Sequence, residues 1–447
     1  MILNKNYLRR SRAVSAYAGM LARRFSRQSR AFRTRDVSKQ TVRQREAPMS
    51  KWIPAWRSVP IDYNYEVATF ENITQNCLMI NNLRGEQMRI RFNNLYSNSP
   101  IAIDYVTVSL SNRVTGRRST RQTVTLDGEE TIWLCANSQP YSDPVPMEIT
   151  PEDDILVSMY FRRKTAFRSV CVTSAALSWQ STHLTGNFHE TDALGYTFKS
   201  QLAPTLASAP YPNQFAAGIC EVAVLTDDDV RLIAMFGDSI THMSYFSDSL
   251  LTELYRRFPG KCSVINGGIS GNRIQKSHPC PQGFPGEGHQ FGIAGKNRFL
   301  RDLYDGASPD VVLILEGVND CTHSIVFGEP EIPTAQDIYE ALAEVIGQAH
   351  GQGSKVWVCT IPPFGGFGEF WRPQAEVLRC RYNELIRSDS LAEGIVDLDA
   401  VLRDADDSHR MQAGMHLGDG VHPNWHGGVK MARVVLEKLF PLDGPGI

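Results

Sequence analysis

The sequence predicts an α/β fold over residues 229–447, a parallel sheet covered by helices on both faces, preceded over residues 49–228 by an all-β sandwich. Two observations carry this division. Within 49–228, period-two alternation recurs at residues 88–92, 101–105 and 155–161, the last apolar on both faces. Turn-forming clusters at 81–85, 97–100, 127–128 and 142–144 separate these runs, the pattern of short strands in a sandwich. Beyond residue 229, apolar runs alternate with segments of helical spacing, the pattern of a parallel sheet with helical crossovers.

Taken in order, Val230 and the run 232–235 predict the first strand of this half, and Phe246, Leu250, Leu251, Leu254, Tyr255 and Phe258 a helix after it. Cys262, Val264 and Ile265 predict a second strand, and 311–315 a third. Ala341, Leu342, Val345 and Ile346 mark a helix before the strand 356–361. Leu378, Tyr382, Leu385 and Ile386 mark another, followed by a last short strand at 395–398. Val429, Ala432, Val435, Leu436 and Leu439 form the closing helix. Residues 178–220, rich in Thr, Ala, Pro and Tyr, read as irregular closing strands and linker.

The formal net charge of −2 hides an asymmetry. Residues 1–48 hold 13 of the 46 Lys and Arg but only Asp36 and Glu46 of the 48 acidic residues, leaving 33 basic and 46 acidic residues, a formal −13, in the rest. An acidic body argues against nucleic acid as the main partner. No run approaches the ~18 apolar residues of a membrane span. The nine cysteines are odd in number and scattered without a C-x-x-C pair, suggesting neither a zinc site nor a disulfide framework. Several lie in apolar runs and read as buried thiols, which favours a reducing, cytoplasmic setting. Residues 1–48 are expected to be a basic, disordered leader, with an organellar leader or an export signal as alternatives.

Three polar blocks stand at strand ends and a fourth before the closing helix. Gly237-Asp238-Ser239 follows the first buried run, on a turn that presents a hydroxyl at the carboxyl edge of a sheet. Asn266-Gly267-Gly268-Ile269-Ser270-Gly271-Asn272-Arg273 follows the second, Glu316-Gly317-Val318-Asn319-Asp320 the third, and Asp419-Gly420-Val421-His422 precedes the closing helix. A later histidine supplies the base a serine nucleophile needs. A flexible glycine backbone and an asparagine amide supply donors for a developing oxyanion.

In this order the blocks resemble the SGNH, or GDSL, hydrolases, and in detail the esterase- and lipase-like subgroup with a β-rich module in front. The resemblance implies a three-layer α/β/α domain with a flavodoxin-like sheet and a jelly-roll-like module. It implies Ser239 as nucleophile, His422 as general base and then acid, and Asp419 as the residue that orients the imidazole. Ser239, Gly271 and Asn319 would form the oxyanion hole. The implied activity is hydrolysis of carboxylic esters without metal or organic cofactor. The first choice of substrate is a short acyl (acetyl) ester of a carbohydrate or of an aryl or alkyl alcohol. Thioesterase or lysophospholipase action is the alternative, and a glycan-binding protein with a silent hydrolase half is an alternative of another class.

Other residues invite competing assignments. His242 and His323, beside the Ser and Asn blocks, and Phe367 and Trp371, in the Gly-rich segment 365–371, are candidate pocket-lining residues. That segment reads as a mobile aromatic loop at the pocket rim, since it lacks the Lys-Ser/Thr of a phosphate loop. Asp238 is expected to be a turn residue. His426, four residues after His422, is expected at a helix start rather than on a metal.

Overall fold

The computed structural model describes residues 50–175, 177–191, 201–202, 214–227, 229–277, 285–388 and 390–440. The expected leader at 1–48 lies outside the described residues. Two larger antiparallel sheets dominate the N-terminal region. One has four strands in the order Lys51–Arg57, Ile219–Thr226, Gly85–Phe92, Val145–Ile149. The other has five, in the order Trp179–Thr185, Ile73–Met79, Asp153–Phe161, Tyr105–Asn112, Gln122–Thr123. Trp56 of the first sheet meets Trp179 of the second edge-to-face, with ring centroids 5.4 Å apart.

The C-terminal region carries a five-stranded parallel sheet. Its strands are β1 (Arg231–Gly237), β2 (Cys262–Gly268), β3 (Val311–Leu315), β4 (Lys355–Cys359) and β5 (Gly394–Val396). They lie side by side in the order β2-β1-β3-β4-β5, every neighbouring pair parallel. The reversal of direction in that order falls between β1 and β3, where an open α/β sheet leaves its ligand crevice.

Among the described residues, eight α-helices accompany these strands: α1 (Ser239–His242), α2 (Tyr245–Arg257), α3 (Gly295–Tyr304), α4 (Val318–Val326), α5 (Ala335–Gly351), α6 (Pro373–Arg387), α7 (Leu398–Leu402) and α8 (Trp425–Leu439). Those with packing partners fall into two groups: α8 packs on α2 and α7, while α5 packs on α3 and α6, and α6 on α4. Helix α5 shows why such segments are helical. Thr334 and Asp337 close a capping box at its start, and Ile338, Ala341, Leu342, Val345, Ile346 and Ala349 form its buried stripe. Helix α8 starts where Asn424 accepts from the His426 and Gly427 N–H groups. Gly428 has no room for a Cβ because the Tyr245 carbonyl occupies that space, so α8 and α2 cross closely.

The edge strand β2 lies against the N-terminal sheet. The Ser263 hydroxyl donates to the Pro54 carbonyl at 2.5 Å, the Asn82 amide donates to the Phe258 and Cys262 carbonyls, and Arg57 donates to the Leu303 and Asp305 carbonyls. These are buried polar groups satisfied across the contact, each of which would otherwise cost about 1–3 kcal/mol.

Three sequence expectations need correction. Residues 179–185 are a regular strand paired with 73–79 along its whole length, and 219–226 is an interior strand, so 178–220 is no linker where described. Residues 192–200 and 203–213 lie outside the described residues. The run 101–105 breaks at Asp104, whose carboxylate accepts from the Arg162 N–H and interrupts the alternation. The last strand ends at Val396, because Asp397 caps α7 by accepting from the Ala400 N–H. Among the described residues, no helix is long and apolar enough to cross a membrane.

Candidate active site

Strand β1 is buried from Leu232 to its end at Gly237, where the chain must turn sharply. A Cβ at Gly237 would collide with the Leu315 carbonyl and the Thr241 hydroxyl, which accounts for glycine there. Asp238 then caps α1, its carboxylate accepting from the Ile240 N–H at 2.9 Å. Ser239 is the first helical residue, so its N–H belongs to the turn whose amides have no partner within the helix.

His422 Nε2 lies 2.8 Å from Ser239 Oγ, and His422 Nδ1 lies 2.6 Å from Asp419 Oδ2. The other Asp419 oxygen accepts from the Val421 and His422 N–H groups at 3.1 and 3.0 Å, which fixes the carboxylate on its own loop. Residues 183 positions apart in sequence are thus joined in one hydrogen-bonded line. With Nδ1 donating to the carboxylate, Nε2 is left to accept the serine proton.

Gly271 adopts φ +79°, a conformation that favours glycine, and a Cβ there would run into the Phe291 ring. Asn319 is the second residue of α4, buried, and its Nδ2 donates to the Asn272 carbonyl at 2.9 Å. That anchor uses one of the two amide protons and leaves the second for a ligand oxygen. Asn272 is itself buried, donating to the Phe291 and Ile293 carbonyls.

Aromatic rings link the Gly271 side of the site to the His422 side. Phe291 stands 5.5 Å from His323, His323 5.0 Å from Phe327, Phe327 6.1 Å from Phe370, Phe370 4.9 Å from Phe367, and Phe367 5.9 Å from His422. Of the candidate lining residues, His323 and Phe367 belong to this arc. Burial pushes the His323 imidazole down to about 3, so it stays neutral. Trp371 packs against the core beside the arc. His242 lies elsewhere: its Nδ1 accepts from the Ser270 N–H, and its ring borders a separate cavity shared with Trp56, Val172 and Trp179. The segment 365–371 is tied down, since the Gly365 N–H donates to the His409 carbonyl at 2.7 Å and Gly366 abuts Gly420. The loop carrying Phe291 also touches the N-terminal region, with His289 Nδ1 3.0 Å from Asp62 Oδ2. His426 is exposed in the first turn of α8. Phe291, Phe327 and Asn272 had no functional assignment from sequence, and Phe370 only as part of the segment 365–371, because each gains its place only through tertiary contact.

Behind the serine lie carboxyl groups removed from solvent. Burial pushes Asp238 up to about 7 and Asp320 up to about 6, and raises Glu316 well above the carboxylate range. Asp238 therefore holds a proton in the folded chain between its ordinary value of 3.8 and about 7. The folded state binds more protons than the unfolded one in that window, so stability falls as pH rises through it. Asp238→Asn keeps the cap acceptor without the titration. Its stability relative to wild type, followed by urea midpoints, should climb from pH 4 to 8 and level off above; a pH-independent difference would refute the titration of Asp238.

Residues 235–428 match the family described as GDSL-like Lipase/Acylhydrolase. Over 147 residues the chain is 29% identical to a multidomain esterase of Ruminococcus flavefaciens; the match covers 31% of this chain and only 17% of that esterase. Among solved structures, an acetyl xylan esterase, AlAXEase, is 22% identical, with a TM-score of 0.36, over 47% of this chain and 100% of that one. The lipase/acylhydrolase of Enterococcus faecalis is 20% identical, with a TM-score of 0.34, over 47% and 95%.

Proposed function

Because this chain belongs, through residues 235–428, to the GDSL-like lipase/acylhydrolase family, we propose that it is a serine esterase acting through an acyl-Ser239 intermediate. The observation that carries this reading is the unbroken line Asp419–His422–Ser239. His422 Nε2 takes the Ser239 proton as Oγ attacks the ester carbonyl. The imidazolium so formed is stabilised by Asp419 and returns the proton to the departing alcohol oxygen. The Ser239 and Gly271 N–H groups and the second Asn319 amide proton hold the oxyanion. Water, activated by the same histidine, then attacks the acyl-serine and releases the acid.

The substrate we assign is a short acyl ester of a ring-bearing neutral alcohol, a sugar or aryl alcohol. Phe291 stands hard against Gly271 and restricts the acyl side, whereas Phe367 and Phe370 stack at 4.9 Å beside the base that protonates the leaving oxygen. The strand order β2-β1-β3-β4-β5 and the two helix groups support a three-layer, flavodoxin-like hydrolase domain beginning near residue 229. The paired antiparallel sheets support a sandwich, jelly-roll-like module before it.

A panel of 4-nitrophenyl esters of increasing acyl length, run beside acetylated polysaccharides, tests the reading: turnover should be fastest with acetate. Preference for long chains or thioesters would favour the other acylhydrolase activities, and sugar binding without turnover would favour the glycan-binding alternative. Phe367→Ala should lower kcat/KM for phenyl and sugar acetates about 2–10-fold, the worth of one aromatic contact. Ethyl acetate should lose less; equal losses on both would place Phe367 on the histidine and not on the alcohol.

A further inference from the structure

We propose that Arg298 is the positioning residue of the oxyanion hole, a single buried guanidinium that sets the mutual geometry of the Ser239, Gly271 and Asn319 blocks. The inference rests on the esterase reading above. Arg298 lies on α3, away from all four motif blocks, yet it is fully buried. Its Nη2 donates to the Gly237 carbonyl at 3.0 Å, two residues before Ser239. Its Nη1 donates to the Gly267 carbonyl at 2.7 Å and to Asp302 at 3.0 Å. Its Nε donates to Asn272 Oδ1 at 2.7 Å, and the Asn272 carbonyl accepts the Asn319 amide. Glu316, at the start of the Asn319 block, lies 3.6 Å from Nη2. The Phe236 ring backs the guanidinium, 4.1 Å from Cζ to its centroid.

Apart from Asp302 on α3 itself, these contacts reach four places: β1, β2, the 269–272 turn and the end of β3. A planar fork with five N–H donors in fixed directions can span them at once. A lysine ammonium presents its donors from one point and cannot. Burying an arginine without need is costly; here Asp302 on the same helix supplies the counter-charge, and the other acceptors belong to the strand ends and loops that carry the reacting residues. Donors must sit where the oxyanion develops, and misplacement of about 1 Å costs on the order of 10² in rate.

The test is a double-mutant cycle in the full chain with 4-nitrophenyl acetate. Arg298→Lys should lower kcat at least about 10-fold with KM nearly unchanged, because the loss falls on the transition state. On an Asn319→Ala background the same change should cost at least about 3-fold less than in the wild type, since one of the donors it positions is gone. Arg379→Lys is the control for merely disturbing a buried arginine. Arg379 is as buried, but it holds the Ile361 carbonyl, Glu376 and Asp399 instead of the oxyanion loops. Its loss should multiply with that of Asn319→Ala.

Should Arg298→Lys fail to fold, Asn272→Ala cuts the same path at its middle and must show the same sub-multiplicative pattern. Multiplicative losses for Arg298→Lys or Asn272→Ala, or sub-multiplicative losses for Arg379→Lys as well, would overturn the assignment. Wild-type turnover is the baseline: its absence would overturn the esterase reading and this inference with it, whereas turnover with multiplicative losses overturns only the role of Arg298.

Discussion

Ser239→Ala is expected to lower kcat for ester hydrolysis by on the order of 10⁴–10⁶ and to abolish labelling by a fluorophosphonate probe. The hydroxyl is the only atom group removed, and it lies 2.8 Å from the imidazole that would activate it. Members of a nucleophile–base unit do not contribute separately, so losing the nucleophile removes nearly all that the unit supplies. Thermal stability should change little. Ser239 is almost covered, and alanine fits its place in the first turn of α1. The deletion leaves one His422 hydrogen bond unmade, a loss of about 1 kcal/mol. Retained labelling together with retained turnover would put the nucleophile elsewhere; lost turnover with a large fall in unfolding temperature would make Ser239 a structural residue. His422→Ala should give a loss of similar size, and the double variant scarcely more than either.

Three of the blocks that carry this reading were legible in the sequence because each is a short polar interruption directly after a buried run, and the fourth because it holds an Asp and a His three apart just before the closing helix. Asp238 and Ser239 follow the last residue of β1, Gly271 comes just after β2 and Asn319 just after β3. Parallel strands bring their carboxyl ends to one edge, so residues with no local relation meet there. What stayed illegible depends on packing between distant segments. The ring of Phe370 reaches Phe327 only because the 365–371 segment is tied to His409 and Gly420.

Arg298 is an instructive intermediate case. In α3 the buried positions are Gly295, Arg298, Phe299, Asp302 and Leu303, a helical stripe in which Gly295, Phe299 and Leu303 are spaced by four. Arg298 and Asp302 fall inside that stripe and not on the opposite face. A charged pair one turn apart ordinarily reads as a solvated ion pair, worth a few tenths of a kcal/mol. Its position relative to the apolar residues was the signal that it is buried. The sequence region 179–185 shows the opposite failure: Thr and Ser among the apolar residues obscured a strand that stands last in its sheet.

Asn319→Ala should depress kcat by on the order of 10²–10³ with KM nearly unchanged, the usual cost of one oxyanion donor. The amide already gives one proton to the Asn272 carbonyl at 2.9 Å, which holds the side chain in place before any substrate arrives. The second proton then needs no reorganisation as charge develops on the ester oxygen, and this separates the transition state from the ground state. Alanine removes both bonds, so part of the loss could come from a loosened Asn272 and not from the missing donor. Asn319→Asp separates the two. Its carboxylate cannot donate to the Asn272 carbonyl or to an oxyanion, and it adds charge of the same sign as the one developing, so it should be slower than Asn319→Ala. Asn319→Gln keeps the donor at a displaced position and should recover little. A loss appearing chiefly in KM would make Asn319 a ground-state contact. An aspartate variant as active as the alanine one would mean that the oxyanion does not form beside residue 319, and the proposed hole would be reduced to backbone N–H groups.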